Sequence, residues 1–274
     1  MNRISEDHGQ ELAILAHELR GPLSSILFAV SNTNDAGHEA FASRQMCEIV
    51  ERQARYLAGI IENVLELSQV NYGKLSLRKE LIDVRDVIEL AVETNGPLLM
   101  KRRHSLTVSL PDERVLLMAD PLRVQQIINN LLANACKYTD PCDRIFVTAK
   151  TEENVISIEV RDTGVGIPPE ILPRVFDLFQ QGGGRRQCGF SGLGIGLALV
   201  RSLVELHGGN VTVSSNGPGT GASFVVRLPG VIGIFRENPD LVEQPTATRP
   251  ANHAELPKMS FLSIGHTDPR TKVE

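Results

Sequence analysis

The chain has 274 residues, a net charge of −5, 42% hydrophobic and 22% charged residues, no Trp and only 4% aromatics. That is the composition of an ordinary globular protein of one large or two modest domains; the acidic balance, with no basic stripe, gives no reason to expect nucleic-acid binding. Cys47, Cys136, Cys142 and Cys188 form no CxxC pair and no metal-like spacing with His, so they read as reduced thiols of a cytoplasmic protein; no apolar run approaches membrane-spanning length, the opening "MNRISEDHGQ" lacks a signal peptide's regions, and no membrane segment is expected in this chain.

The first predicted element is a helix from about Glu6 to Ser31, in which Leu15, Leu19, Leu23 and Ile26 recur at helical spacing. It contains two residues that weaken a helix interior, Gly21 and Pro22, one turn after His17 and Glu18, which lie off the apolar stripe. Pro22 removes the N–H partner of the Glu18 carbonyl, so the helix is expected to bend there. A second helix is predicted from Phe41 to Ser68, with Ile49, Tyr56, Ile60, Val64 and Leu67 on its apolar face, widened by Val50, Leu57, Ile61 and Leu65. The short polar connection makes the pair an antiparallel hairpin. Two helices cannot cover so wide an apolar face; a second copy of the hairpin, giving a dimeric four-helix bundle, is the expected solution, and packing on the rest of the same chain is the alternative. Residues 1–70 are thus assigned to the hairpin and 71–79, interrupted by Asn and Gly, to a linker.

From residue 80 to 230 the pattern is that of a second domain. A helix is predicted from Val84 to Met100; "SLTVSL" and "VLLMA" flank "PDER" as a strand hairpin. The next helix opens with Asp120 as its cap and Pro121 at its first position. "RIFVTAK" and "VISIEVR" are strands, and "LGIGLALVRSLVELHGG" is a helix entered at Leu193 and ended by Gly208. "NVTVSS" and "ASFVVRLP" close the sheet. The expected class is α+β: the helical hairpin, then an α/β sandwich with one mixed sheet carrying helices on one face. Residues 231–274, rich in Pro, Thr and charge, are expected to be a mostly disordered tail.

Three motifs carry chemistry. On the helix after Asp120, Gln126, Asn130 and Asn134 stack at four-residue intervals opposite an apolar face of Val124, Ile127, Ile128, Leu131 and Ala135, and Lys137 follows. A column of neutral amides ending in a lysine suits a Mg²⁺-bound polyphosphate, because an amide oxygen is a hard ligand that adds no negative charge; a solvated polar face is the other reading. "DTGVGI" at 162–167 follows a strand, so Asp162 is placed to accept a hydrogen bond from an exocyclic amine while Gly164 and Gly166 let backbone approach a flat base. It is also a plain turn, or half of an aspartic protease, but there is no second DTG. "GGGRRQCGFSGLGIGLALV" is too glycine-rich to hold one shape without a ligand and leads into a helix N-terminus, where free N–H groups meet phosphate. It reads as a lid over a triphosphate rather than a dinucleotide fingerprint, which needs a strand directly before its glycines.

In their order "HELRGP", "NNLLANACKYT", "DTGVGI", "FDLF", "GLGIGL" and "GPGTGASFVVRLP", these segments closely resemble the two-component sensor histidine kinases, over roughly Glu11 to Pro229. The resemblance implies that His17 is the phospho-accepting histidine and Glu18 its activating neighbour, and that ATP and Mg²⁺ are bound, with Asn134 on the metal and Asn130, Lys137 and Tyr138 around the nucleotide. It further implies that Asp162 holds the adenine amine beside Gly164 and Gly166, that Phe176 and Phe179 form the base of the lid, and that Gly192, Gly194 and Gly196 form its second glycine motif, with Ser223 also among the ATP-binding residues. The implied partners are a second copy of the chain and a response regulator receiver domain that takes the phosphate on an aspartate. Water-activating ATPases of the same superfamily carry a glutamate one turn before the metal-binding Asn; here that position is Asn130, which cannot act as a base. A non-catalytic dimeric scaffold is the remaining alternative. Relatives commonly carry Thr or Asn four residues after the histidine, able to orient a water for hydrolysis of the regulator's aspartyl phosphate; Gly21 has no side chain there, which implies little phosphatase activity.

Overall fold

The apolar spacing of the first 70 residues becomes two long helices, α1 (Asn2–Thr33) and α2 (Ala40–Asn71), packed against each other as a hairpin, each extending beyond its expected ends. The computed structural model describes residues 2–33, 40–180, 194–235 and 262–264, and for some of the helical residues, His17 and Glu18 among them, it describes the backbone alone. α1 runs without a break through Pro22, which is buried. Beside it the Ser25 hydroxyl donates to the Gly21 carbonyl at 3.1 Å, a side-chain bond of the kind that accompanies slight helix bending. By contact the chain divides into two units, residues 1–76 with 174–202, and residues 77–173 with 203–274. Within the first unit Ile60, Leu67 and Ile195 are buried together, with Leu15, Leu19, Tyr56, Val64, Leu178 and Phe179 packed against them. The hairpin therefore covers part of its apolar surface with its own chain, the alternative weighed above, and leaves another part bare: Leu23, Leu27, Phe28, Ile61 and Leu65 are all more than half exposed.

One expectation needs correction here. The 19 residues Ala13–Ser31 of α1 reach a mean hydropathy of 1.2 and are long and apolar enough, by length and composition alone, to cross a membrane. The run escapes notice in the sequence because His17, Glu18 and Arg20 interrupt it.

The second unit begins with a strand that the pattern does not reveal, β1 (Glu80–Asp83), too short to alternate. Asp83 then caps α3 (Val84–Arg102) by accepting the Arg85 N–H at 3.0 Å, and α3 closes on Arg103 in the left-handed region at φ 56°. β2 (Ser105–Ser109) and β3 (Arg114–Ala119) do alternate, burying Leu106 and Val108, then Val115, Leu117 and Ala119. They are not the expected hairpin. β3 pairs antiparallel with β1 and with β8 (Val231–Phe235) in a three-stranded sheet, order β1-β3-β8. β2 lies in a separate six-stranded sheet that also contains β4 (Arg144–Glu152), β5 (Val155–Asp162), β6 (Asn210–Ser214), β7 (Ser223–Pro229) and β9 (Leu262–Ile264). Local chemistry explains the divergence: Asp83 pairs with Arg114 at 2.8 Å, fixing the start of β3 to β1, and Arg85 Nη2 donates to the Pro111 carbonyl at 2.7 Å, holding the connection against α3.

The six-stranded sheet runs β6-β7-β5-β4-β2-β9 and is mixed, with β2 parallel to β4 and to β9 and the other pairs antiparallel. The single sheet expected is thus two sheets, and the expected tail contributes β8 and β9; its other residues lie outside the described ones. Alternation in β5 holds, with Ile156, Ile158 and Val160 buried. α4 (Pro121–Tyr138) buries the five residues expected and also Leu132 and Cys136. α5 (Gly196–Leu206) follows Gly194, which takes φ +70°; the expected entry at Leu193 lies outside the described residues. It ends as expected before Gly208, at φ +81°.

Candidate nucleotide site

Asp162 ends β5 with its carboxylate buried, only 6% exposed. Two backbone donors converge on Oδ1, Gly164 N–H at 2.9 Å and Ala222 N–H at 3.3 Å, which leaves Oδ2 without a hydrogen-bond partner among the described residues. Burial pushes the carboxyl above its ordinary value and the two N–H groups pull it back. A buried carboxylate with one oxygen pinned and the other open is an acceptor built for a donor from outside the chain.

The glycines that follow are required by close approach. A Cβ on Gly164 would overlap the Tyr138 carbonyl oxygen, which accepts the Val165 N–H at 3.0 Å. One on Gly166, at φ +69°, would overlap the Gly217 carbonyl. These contacts fasten the loop after β5 to the C-terminal end of α4 on one side and to the turn between β6 and β7 on the other. On the latter side Gly219 N–H donates to the Val165 carbonyl at 2.7 Å, Gly221 N–H to the Gly164 carbonyl at 3.0 Å and Ile167 N–H to the Ser215 hydroxyl at 3.0 Å. Ser215, Gly221 and Ala222 therefore belong to the site's framework and were missed as such; the alternating glycines of "GPGTGA" were the available signal.

α4 brings its amides to the same end. Asn130, Asn134, Lys137 and Tyr138 are half-buried, and neither Asn130 nor Asn134 has a hydrogen-bond partner among the described residues. Gln126 differs, since it accepts from Arg123 Nη1 at 2.8 Å, so the column open to a ligand begins at Asn130. Lys137 Nζ stands over the Tyr138 ring, 4.7 Å from its centroid. The helix start is fixed at the opposite end. Asp120 accepts the Arg123 N–H on Oδ1 at 3.2 Å and the Arg78 N–H on Oδ2 at 2.9 Å, and its own N–H donates to Nε2 of the buried His207 at 3.2 Å. That bond places the imidazole proton on Nδ1, 2.8 Å from the Leu203 carbonyl. Burial lowers the His207 pKa, keeping the ring neutral.

In the other unit Phe176 and Phe179 are half-buried, and Phe179 takes φ +60°. A Cβ on Gly194 would lie 2.5 Å from the Gln180 carbonyl oxygen and 2.8 Å from its nitrogen, so the backbones of Gln180 and Gly194 lie close together. Gly196 opens α5; Gly192 lies outside the described residues. His17 lies on α1 between Leu15 and Leu19. Ser223 pairs with Arg161, faces away from Asp162 and Phe224, and donates its hydroxyl to Glu159 at 2.6 Å across β5 and β7, so the structure does not join it to the Asp162 cluster.

The residue order and this geometry meet in two family models: residues 7–73 match the His Kinase A (phospho-acceptor) domain and residues 119–232 the histidine kinase-, DNA gyrase B- and HSP90-like ATPase. The chain belongs to the sensor histidine kinases. Among curated members of the family it is 34% identical over 227 residues to sensor histidine kinase RcsC of Escherichia coli K12, covering 82% of this chain. It spans only 24% of the length of that relative. Of solved histidine kinases, full-length ShkA in complex with AMPPNP is similar with a TM-score of 0.62 and 25% identity, over 81% of this chain and 46% of that one. ThkA in complex with the response regulator protein TrrA matches in fold, with a TM-score of 0.65 and 21% identity, over 81% of this chain and 62% of that one.

Proposed function

We propose that this chain is a histidine kinase core that transfers the γ-phosphoryl group of ATP to His17 and then to an aspartate on a response regulator. The observation that carries the reading is the Asp162 carboxylate, with one oxygen bound by two backbone N–H groups and the other, like the side-chain amides of Asn130 and Asn134, without a hydrogen-bond partner among the described residues. Oδ2 accepts from the adenine amine, and Gly164 and Gly166 lay backbone against the base. The AMPPNP complex of ShkA supports nucleotide binding, and the TrrA complex of ThkA supports a response regulator as partner.

Among the described residues no group of three or more His, Cys, Asp or Glu is placed to hold a metal ion. The donors present fit a Mg²⁺ that arrives with the phosphates and takes an amide oxygen from Asn134. When bound, Mg²⁺ neutralises charge on the transferring phosphoryl group. Lys137 adds a positive charge from the chain itself.

In this reading Glu18 is the neighbour that activates His17, which attacks through a ring nitrogen whose lone pair is free once the other nitrogen carries the hydrogen. The attacking nitrogen forms the new N–P bond as the bond from the γ-phosphorus to the bridging oxygen breaks and ADP departs with its electron pair. Pro22 leaves the Glu18 carbonyl without its helical N–H, loosening the backbone in the turn that bears the nucleophile. In this reading the kinase works as a homodimer in the cytoplasm, supported by the exposed apolar side chains of the hairpin and by Cys47, Cys136 and Cys142, which are free thiols among the described residues.

The test is incubation with labelled Mg-ATP. One phosphate per chain is expected, stable in alkali and lost in acid as a phosphoramidate is, absent from His17→Gln while nucleotide binding persists. Label retained by His17→Gln would overturn the assignment.

A further inference from the structure

The strand at one end of the six-stranded sheet has two neighbours from very different parts of the chain. β2 pairs parallel with β4 on one side and parallel with β9 on the other, in the register Leu106 with Leu262, Thr107 with Ser263 and Val108 with Ile264. Without β9, β2 is an edge strand, with a row of unpaired N–H and C=O groups facing out. The devices that normally protect such an edge are absent from it: Ser105–Ser109 reads Ser-Leu-Thr-Val-Ser, with no Lys, no Pro, no charge directed inward and no bulge. Leu106 and Val108 are buried, 5% and 6% exposed, and Thr107 between them is half-buried on the other face. The sequence of β9 repeats that pattern. Its register sets an apolar residue against each apolar residue and a hydroxyl against the hydroxyl, so a slip of one residue would pair unlike with unlike.

We propose that the β2 edge is a β-augmentation site for an extended apolar–hydroxyl–apolar segment, and that this chain's own Leu262–Ile264 is its occupant. Backbone hydrogen bonds supply the affinity and the alternation supplies the register. β8 lies in the other sheet, so the C-terminal part of the chain contributes a strand to each sheet of the ATP-binding unit. Because the affinity comes from a backbone ladder that any extended strand can make, a strand of the same pattern offered in trans competes with β9 for it. None of this depends on the kinase reading: β2 carries none of the residues assigned to nucleotide, metal or phosphoryl group.

Hydrogen exchange on the full chain tests the proposal, with a chain ending at Phe235 and the variant Ser263→Pro as comparisons. Proline has no N–H to give the ladder and disfavours a central strand position. The outward amides of β2 are expected to exchange at least tenfold faster in both altered chains, while those of β5, paired on both sides, keep their protection and ATP binding is unchanged. A synthetic peptide of residues 259–267 added to the shortened chain restores β2 protection, and the same peptide with Pro in place of Ser263 does not. Equal β2 exchange in all three chains overturns the proposal. Protection of the full chain that rises with protein concentration also overturns it, because the occupant would then be a second copy's segment rather than the chain's own.

Discussion

At the scale of single residues, the site depends on which polar atoms are already satisfied. Asp162 Oδ1 is committed to Gly164 and Ala222, so Asp162→Asn can keep that oxygen in place only by turning its Nδ2 toward the base. A donor then meets the adenine amine, another donor, and one buried polar group goes unpaired at a cost of about 1–3 kcal/mol. ATP affinity measured by calorimetry is expected to fall about tenfold to a hundredfold. Asn134→Asp keeps an oxygen but adds negative charge beside the phosphates, and Asn134→Ala removes the oxygen; both are expected to abolish most phosphorylation, and the first should weaken ATP binding more as salt is lowered. Unchanged nucleotide affinity in Asp162→Asn and Asn134→Ala together would place the pocket elsewhere. Because burial raises the Asp162 pKa, the ionised acceptor is lost at a higher pH than for an ordinary aspartate. The affinity ratio of the unaltered chain to Asp162→Asn should therefore shrink on acidification while the pH is still above the usual carboxylate range.

At the scale of elements, His207 ties the end of α5 to the start of α4, and this bond exists only while the ring is neutral. Its folded pKa is lowered from 6.5, so above that value folded and unfolded states bind the same number of protons and the contribution is complete; below it the unfolded chain protonates first and stability falls. The buried His104 acts in the same direction. In thermal melts His207→Gln should lose less stability than the unaltered chain between pH 7 and pH 5, and an identical slope would remove the helix tie from the account. Gly21 is simpler. A Cβ there meets nothing within 4 Å, so Gly21→Ala should stabilise α1 by about 0.5–1 kcal/mol through backbone entropy alone. Gly21→Thr supplies the side chain that many relatives carry, and decay of phosphorylated regulator, followed with ADP, should quicken relative to the unaltered chain; equally rapid decay with both would show the missing side chain to be irrelevant. The long helices and β5 were legible in the sequence because their apolar period is set by one buried face. The Asp120 cap and the Asp162–Gly164–Gly166 loop were legible because each demands a particular residue type. β1 was not, being four residues without alternation, and neither was β8, whose Gly233 and the Pro-, Thr- and charge-rich sequence after it hide a strand that exists through its pairing with β3. The β2–β3 hairpin was misread because alternation shows which face of a strand is buried, not which neighbour it takes; Arg114, Asp83 and Pro111 made that choice through contacts far apart in sequence.

At the scale of the whole molecule, the deciding feature is the apolar surface that the hairpin leaves bare. Leu27, 59% exposed, lies about one turn beyond Leu23 on α1 and is followed by Phe28, 72% exposed, and Ile61 and Leu65 lie about one turn apart on α2. Contiguous exposure of large apolar side chains on a folded unit marks a contact surface, and burying one of them fully is worth about 1.5–3 kcal/mol. In a symmetric dimer every such residue is buried twice. Phe28→Glu should then remove two buried rings and introduce two facing carboxylates, weakening association by at least about a hundredfold. Residues 1–76 alone are expected to form a helical dimer, and residues 77–235, which retain both Asp162 and Asn134, a monomer that still binds ATP. Light scattering across a dilution series separates the cases: a dimer of the hairpin fragment dissociated by Phe28→Glu supports the four-helix bundle, whereas a monomeric hairpin fragment would leave those side chains to some other partner and overturn it.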